Sequence, residues 1–165
     1  MLRITAPEEL SEECRAAALS AWEQLNAYSL RDPAFRKSKT PIEVPNEAPA
    51  IVREMVAASK AAGVGPSFTT QGAVIDHVGR YLARVLPEVM VSTGGEYYIR
   101  SRKRLKLGLH PGGARTNGLS VVVDPRRGTE GVFTSSRQIR LPSQSVDMMA
   151  VLASHFSILS PGALA

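Results

Sequence analysis

One cysteine in 165 residues, Cys14, excludes an internal disulfide and any zinc cage built on several thiolates. Long apolar runs are missing too. None approaches the roughly 20 residues that a bilayer-spanning helix needs. Where a secretion signal would hold an apolar core, the first residues carry Glu8, Glu9, Glu12 and Glu13, so export is not expected. Internal repeats and low-complexity segments are also lacking, which excludes solenoids and long disordered tracts. Acidic residues become scarce after about position 55. What remains is a single domain over 1–165, long enough for one sizeable core, with a cytoplasmic location and no membrane partner expected.

Hydrophobic residues make up 44% and charged residues 21%, the balance of an ordinary globular chain. The net charge of +5 is concentrated late. Arg100, Arg102, Lys103, Arg104 and Lys106 form one cluster, followed by Arg126, Arg127, Arg137 and Arg140. Such a field suits an anionic partner but does not require one. Only Ser101 and Leu105 interrupt the first cluster, and the aromatic residues stop at Tyr97 and Tyr98. A solvated hairpin tip is therefore expected there rather than a nucleic-acid surface.

Helical periodicity comes first along the chain. Thr5 and Glu8 have capping-box spacing around Pro7, and Leu10, Cys14, Ala17, Ala18, Ala21, Leu25 and Tyr28 recur every three or four residues. Asp32-Pro33 ends this first helix near Leu30. Four prolines between 32 and 50 predict a surface connection. A second helix should run from Asn46 or Glu47 to a stop at Gly63. A third, capped by Thr69 or Thr70, carries the stripe Val74, Val78, Leu82 and Val85. Gly72 and Gly79 share one side of it, a spacing that fits a helix packed tightly on a sheet.

Past Glu88 the period becomes extended. Val89–Val91, Tyr97–Ile99 and Leu105–Leu107 predict adjacent antiparallel strands, with further strands at Leu119–Val123 and from Val132. Residues 146–159 fit either a strand or a helix. Helices first and strands afterwards predict an α+β fold, N-terminal helices followed by a mainly antiparallel sheet.

Three glycine-marked segments punctuate this order: Gly63-Val64-Gly65-Pro66, Thr93-Gly94-Gly95-Glu96 and Gly131-Val132-Phe133-Thr134-Ser135-Ser136. Glycine admits positive φ and lets another molecule approach the main chain. Glu96 sits just after a tight bend, where a carboxylate can face a ligand or only mark a corner. The hydroxyls of Thr134, Ser135 and Ser136 can bind phosphate or simply form a turn. His77, His110 and His155 lack a sequence-evident Ser or Cys partner, and no spacing reads as a metal site. No catalytic residue and no metal ligand is assigned.

Together these segments resemble a small, largely uncharacterised ApbE-like family related to the bacterial ApbE flavin transferases. The resemblance also draws on Pro33-Ala34-Phe35-Arg36-Lys37-Ser38, Ala48-Pro49, and Tyr97-Tyr98-Ile99 after the glycine pair. It spans roughly residues 20–155. Departures accompany it: Thr93 and Glu96 stand where relatives carry Asn and Asp, and Arg137 to Leu141 replace a glycine and a histidine. The relatives' N-terminal sheet segment is expected to be absent. The helix that would supply an Asp and a Thr for magnesium falls past Ala165.

What the resemblance implies is an ApbE-like fold that holds a flavin- or nucleotide-like small molecule, FAD or FMN, with transferase chemistry reduced or lost. The expected binding residues are Gly65, Pro66, Gly94, Gly95, Glu96, Thr134, Ser135 and Ser136, with Arg137 or Arg140 offsetting phosphate charge. Magnesium is not assigned. Two alternatives stay open: an active magnesium-dependent FAD:protein FMN transferase using Glu96 and Asp147, and a non-enzymatic interaction or nucleic-acid module using the basic cluster. A sheet edge left open by the missing N-terminal strand suggests a homodimer.

Overall fold

The computed structural model describes residues 2–7, 9–108, 118–127, 130–135, 139–141, 144–146 and 149–153. It is an α+β domain, with helices first and antiparallel strands after, as the periodicity predicts. The N-terminus departs from expectation. Arg3–Thr5 is a short strand, β1, paired antiparallel to β2 (Val89–Thr93) with Ile4 opposite Val91. The capping-box spacing at Thr5 is thus not used. Helix α1 (Glu12–Arg31) starts later, where the Ser11 side chain accepts from the Cys14 N–H. The N-terminal strand expected to be missing is present, and it covers the β2 edge on which the homodimer expectation rested.

Asp32 ends α1 and at once starts α2 (Pro33–Lys37), its carboxylate accepting from the Ala34 and Phe35 N–H groups at 3.0 and 3.1 Å. The proline-rich stretch is therefore more than a surface connection. Phe35 is 1% exposed and meets the Tyr28 ring edge-on at 5.3 Å. Helix α3 (Ala50–Ala62) starts after Pro49, later than expected, and ends as predicted at Gly63. There φ is +69°, and the Gly63 and Val64 N–H groups close on Lys60 and Ser59, the doubled C-terminal closure that glycine favours. A 3-10 turn over Pro66–Thr69 leads into α4 (Thr70–Leu82). Thr69 does not cap α4; its hydroxyl donates to the Pro66 carbonyl. Val74, Val78 and Leu82 are buried, whereas Val85 lies beyond the helix and is exposed.

The central sheet has the order β1-β2-β3-β6-β9, all antiparallel, with β3 at Glu96–Arg100, β6 at Glu130–Ser135 and β9 at Met149–Ala153. The ambiguous tail is thus a strand over 149–153. Among the described residues, strands β4 (Leu105–Gly108) and β5 (Ser120–Val123) pair only with each other, so β4 is not the sheet neighbour of β3 that adjacency predicts. Strands β7 (Ile139–Leu141) and β8 (Gln144–Val146) make a second small hairpin.

Two apolar cores follow from strand alternation. On one face, Val89, Val91 and Tyr98 join residues of all four helices, Phe35, Ile51, Met55, Ile75 and Leu82 among them. On the other, Ile99 and Val132 pack with Val123, Leu105 and Leu107 of the β4–β5 hairpin. The layers are helices, sheet and hairpin. Among the described residues, no helix is long and apolar enough to cross a membrane.

Candidate ligand site at the hairpin end of the sheet

Strands β2 and β3 are joined by Gly94-Gly95 alone, with Thr93 opposite Glu96. Gly94 takes φ +65°, a conformation that favours glycine, and open space surrounds its Cβ direction. The Gly95 N–H donates to the Thr93 carbonyl at 2.6 Å, so in this structure it serves the turn.

Which way Glu96 faces follows from its strand. Tyr98 packs its ring on Gly79 of α4, where a Cβ would sit 2.2 Å from the ring carbons. At the far end of β3 the Arg100 guanidinium meets the Ala83 carbonyl just past α4. Glu96, Tyr98 and Arg100 share one face by the two-residue period, so Glu96 faces the helical layer, and Thr93 opposite it does too. Since β3 and α4 run in the same sense, Glu96 lies toward the N-terminal half of α4, the part that contains Gly72.

There Glu96 is 2% exposed, and among the described residues neither of its carboxylate oxygens has a hydrogen-bond partner; the Thr93 hydroxyl is likewise buried and unpartnered. Burial alone pushes the Glu96 carboxyl up to about 7, because a charge without a partner is disfavoured away from water. A buried polar group left unpaired costs about 1–3 kcal/mol. Three such oxygens in one place are uncommon in a folded protein and call for an explanation.

The other expected site residues divide. In the register of β6, Phe133 pairs with Glu96, and Thr134 and Ser135 continue beyond it, opposite Ala150 and Met149 of β9. Their backbone is therefore at the same end of the sheet as the glycine hairpin. Gly65 and Pro66 stand before α4, at the end of that helix nearer Glu96. Gly65 also has a packing reason to be glycine, since a Cβ there would lie 1.9 Å from the Ser38 carbonyl oxygen. Pro66 is buried at the start of the 3-10 turn. Ser136, Arg137, Asp147, His110 and His155 lie outside the described residues.

Thr93 was legible only as part of a motif; its partnership with Glu96 comes from a two-residue turn, which fixes the pair across the strands. A polar cluster on α3 and α4 was missed. His77 Nδ1 lies 3.1 Å from Glu54 Oε2, Arg80 Nη2 lies 2.8 Å from the same oxygen, and Arg80 Nε lies 3.0 Å from Asp76. Burial pushes the Glu54 carboxyl up, but hydrogen bonds from His77 and Arg80 outweigh it and hold the group below its ordinary range. The Asp76–Arg80 spacing of four was the available signal. Farther along, Asp124 gathers Arg104 and Arg126 at 3.0 and 2.7 Å, so part of the basic cluster is spent on an internal carboxylate.

Fold and site define an α+β domain with a helix-covered antiparallel sheet and a buried, unpartnered acidic residue at one sheet end. A family model described as AbpE bacteria matches residues 1–157, and the chain belongs to that family. It is similar to a UPF0280 protein of Methanocella arvoryzae, 29% identical over 140 residues, covering 84% of this chain and 57% of the relative. A UPF0280 protein of Methanopyrus kandleri is 29% identical over 171 residues, 99% of this chain and 67% of the relative. One from Methanosarcina acetivorans is 28% identical over 145 residues, 86% of this chain and 57% of the relative. The chain thus spans little more than half the length of the first and third of these.

Proposed function

We propose that the protein binds a flavin- or nucleotide-like small molecule at the hairpin end of its sheet, with transferase chemistry reduced or lost. One observation carries this reading: Glu96 and Thr93 bury three oxygens without partners, beside the glycine turn and at the end where the Thr134-Ser135 backbone arrives. A site that discards hydrogen bonds in its empty state recovers them when a ligand supplies the missing partners. The resemblance to the ApbE flavin transferases supplies the ligand class, FAD or FMN. Among the described residues, no three His, Cys, Asp or Glu side chains come together as a metal site, and no step is routed through magnesium.

Thermal unfolding with FAD, FMN and ADP, each with and without magnesium, tests the reading. A ligand at 100 times its Kd adds about 2.7 kcal/mol, which for a chain of this size raises Tm by roughly 5–10 °C. A rise of that order with a flavin supports the proposal. No rise with any of the three contradicts it.

A further inference from the structure

We propose that Glu96 and Thr93 recognise the ring of the ligand rather than its phosphates, reading a neutral edge in which a hydrogen-bond donor and an acceptor stand side by side. The inference rests on the ligand-binder reading of the same site and adds the orientation and the chemistry recognised.

Three candidate occupants compete for the unpartnered oxygens. Phosphate is the poorest, because the protonated carboxyl offers it a single O–H donor and the ionised form repels it. A divalent cation wants six or more oxygens around it, and among the described residues no three His, Cys, Asp or Glu side chains gather to help supply them. A neutral planar edge fits best. A protonated carboxyl offers one O–H donor beside one carbonyl acceptor, the complement of an N–H next to a C=O, or of an amino group next to a ring nitrogen. Both kinds occur in the ligand class proposed: the imide edge of an isoalloxazine and the aminopyrimidine edge of adenine. The Thr93 hydroxyl adds a third contact on the same face. Gly94, two residues before Glu96, is exposed with nothing within 4 Å of its Cβ direction, which leaves the hairpin end as the side from which a ligand would enter.

Burial, with no charged neighbour involved, favours the neutral state below about pH 7. On α4, Asp76 is held by Arg80, and His77 is turned to Glu54. On β3 itself, Tyr98 lies on Gly79 and Arg100 reaches Ala83. Of the groups on these elements, Glu96 is the one whose proton should govern ring recognition.

The test is titration calorimetry from pH 6 to 9 with two phosphate-free probes, riboflavin and adenosine, beside FAD, ADP and inorganic pyrophosphate. Wild type, Glu96→Gln and Glu96→Leu are compared. The expected result is binding of at least one phosphate-free probe, and which one binds distinguishes the imide from the aminopyrimidine edge. Its affinity should fall up to about tenfold per pH unit above 7, since one bound proton is linked to one ligand. Glu96→Gln, whose amide keeps a donor beside an acceptor, should bind with no such slope. Glu96→Leu should lose at least tenfold. If FAD or ADP binds equally to wild type and Glu96→Leu, or pyrophosphate binds while both ring probes fail, ring recognition by Glu96 is overturned, and the protein remains a binder of such molecules whose affinity does not come from the Glu96 oxygens. Failure of every probe overturns both.

Discussion

Glu96 concentrates the free-energy cost of this site in one side chain. Its carboxyl is raised to about 7 in the folded protein, so the folded state binds that proton more tightly than the unfolded chain. The contribution to stability is therefore fully present below the ordinary carboxylate range and is lost as pH rises through about 7. Carried from its ordinary 4.5 to about 7, the carboxyl contributes at most about 3 kcal/mol. Urea unfolding at pH 5 and pH 8 should show wild type weaker at the higher pH, and Glu96→Gln more stable than wild type at pH 8. Equal stability of the two proteins at pH 8 would remove the buried-carboxyl account. Gly79 makes a second residue-scale claim. Alanine there gains about 1 kcal/mol of helix propensity, but its Cβ would enter the Tyr98 ring at 2.2 Å, and overpacking of that kind costs about 1–3 kcal/mol or more. Gly79→Ala should therefore destabilise, and with Tyr98→Leu the double variant should lose less than the sum of the two. Additive losses in denaturant titrations would show that the contact is not what fixes the helix on the sheet.

Elements explain where the sequence was readable. Helices α1, α3 and α4 announce themselves because one face meets a core, as the stripe Cys14, Ala18, Ala21, Leu25 does, and because Gly63 stops α3 with a conformation few other residues accept. The β2–β3 hairpin is readable for the same local reason, two glycines between apolar runs. Strand β1 was not. Three residues carry too short a pattern, and what makes them a strand is a long-range pairing with Val91 that no local spacing reveals. The separation of β4 from β3 is equally non-local: Leu105 and Leu107 alternate as any strand would, and only the second core around Ile99, Val123 and Val132 decides which sheet they join. Removing residues 1–5 should expose the backbone edge of β2 and promote self-association. Sedimentation velocity should show larger species for the shortened chain than for the full chain, and identical profiles would mean that β1 does not guard that edge.

At the scale of the whole molecule, the topology turns scattered motifs into one place. Thr93, Gly94, Gly95 and Glu96 lie at one end of the sheet because β2 and β3 turn there. Thr134 and Ser135 reach it because β6 runs past Phe133, and Gly65-Pro66 precedes the end of α4 that faces it. The segments were visible in the sequence; that Glu96 would be buried, paired with Thr93 and left without a partner was not, since burial depends on α4 lying across strands that come later in the chain. The central claim is that a ligand answers those unpaired oxygens. Calorimetric titration of FAD into wild type and Glu96→Leu at pH 6.5 tests it most directly, because an apolar residue in place of an unpartnered buried carboxyl should leave the fold intact or more stable. Binding by wild type, weakened at least tenfold in a folded Glu96→Leu protein, is the predicted result; equal affinity in the two proteins, or no binding by wild type, would contradict it.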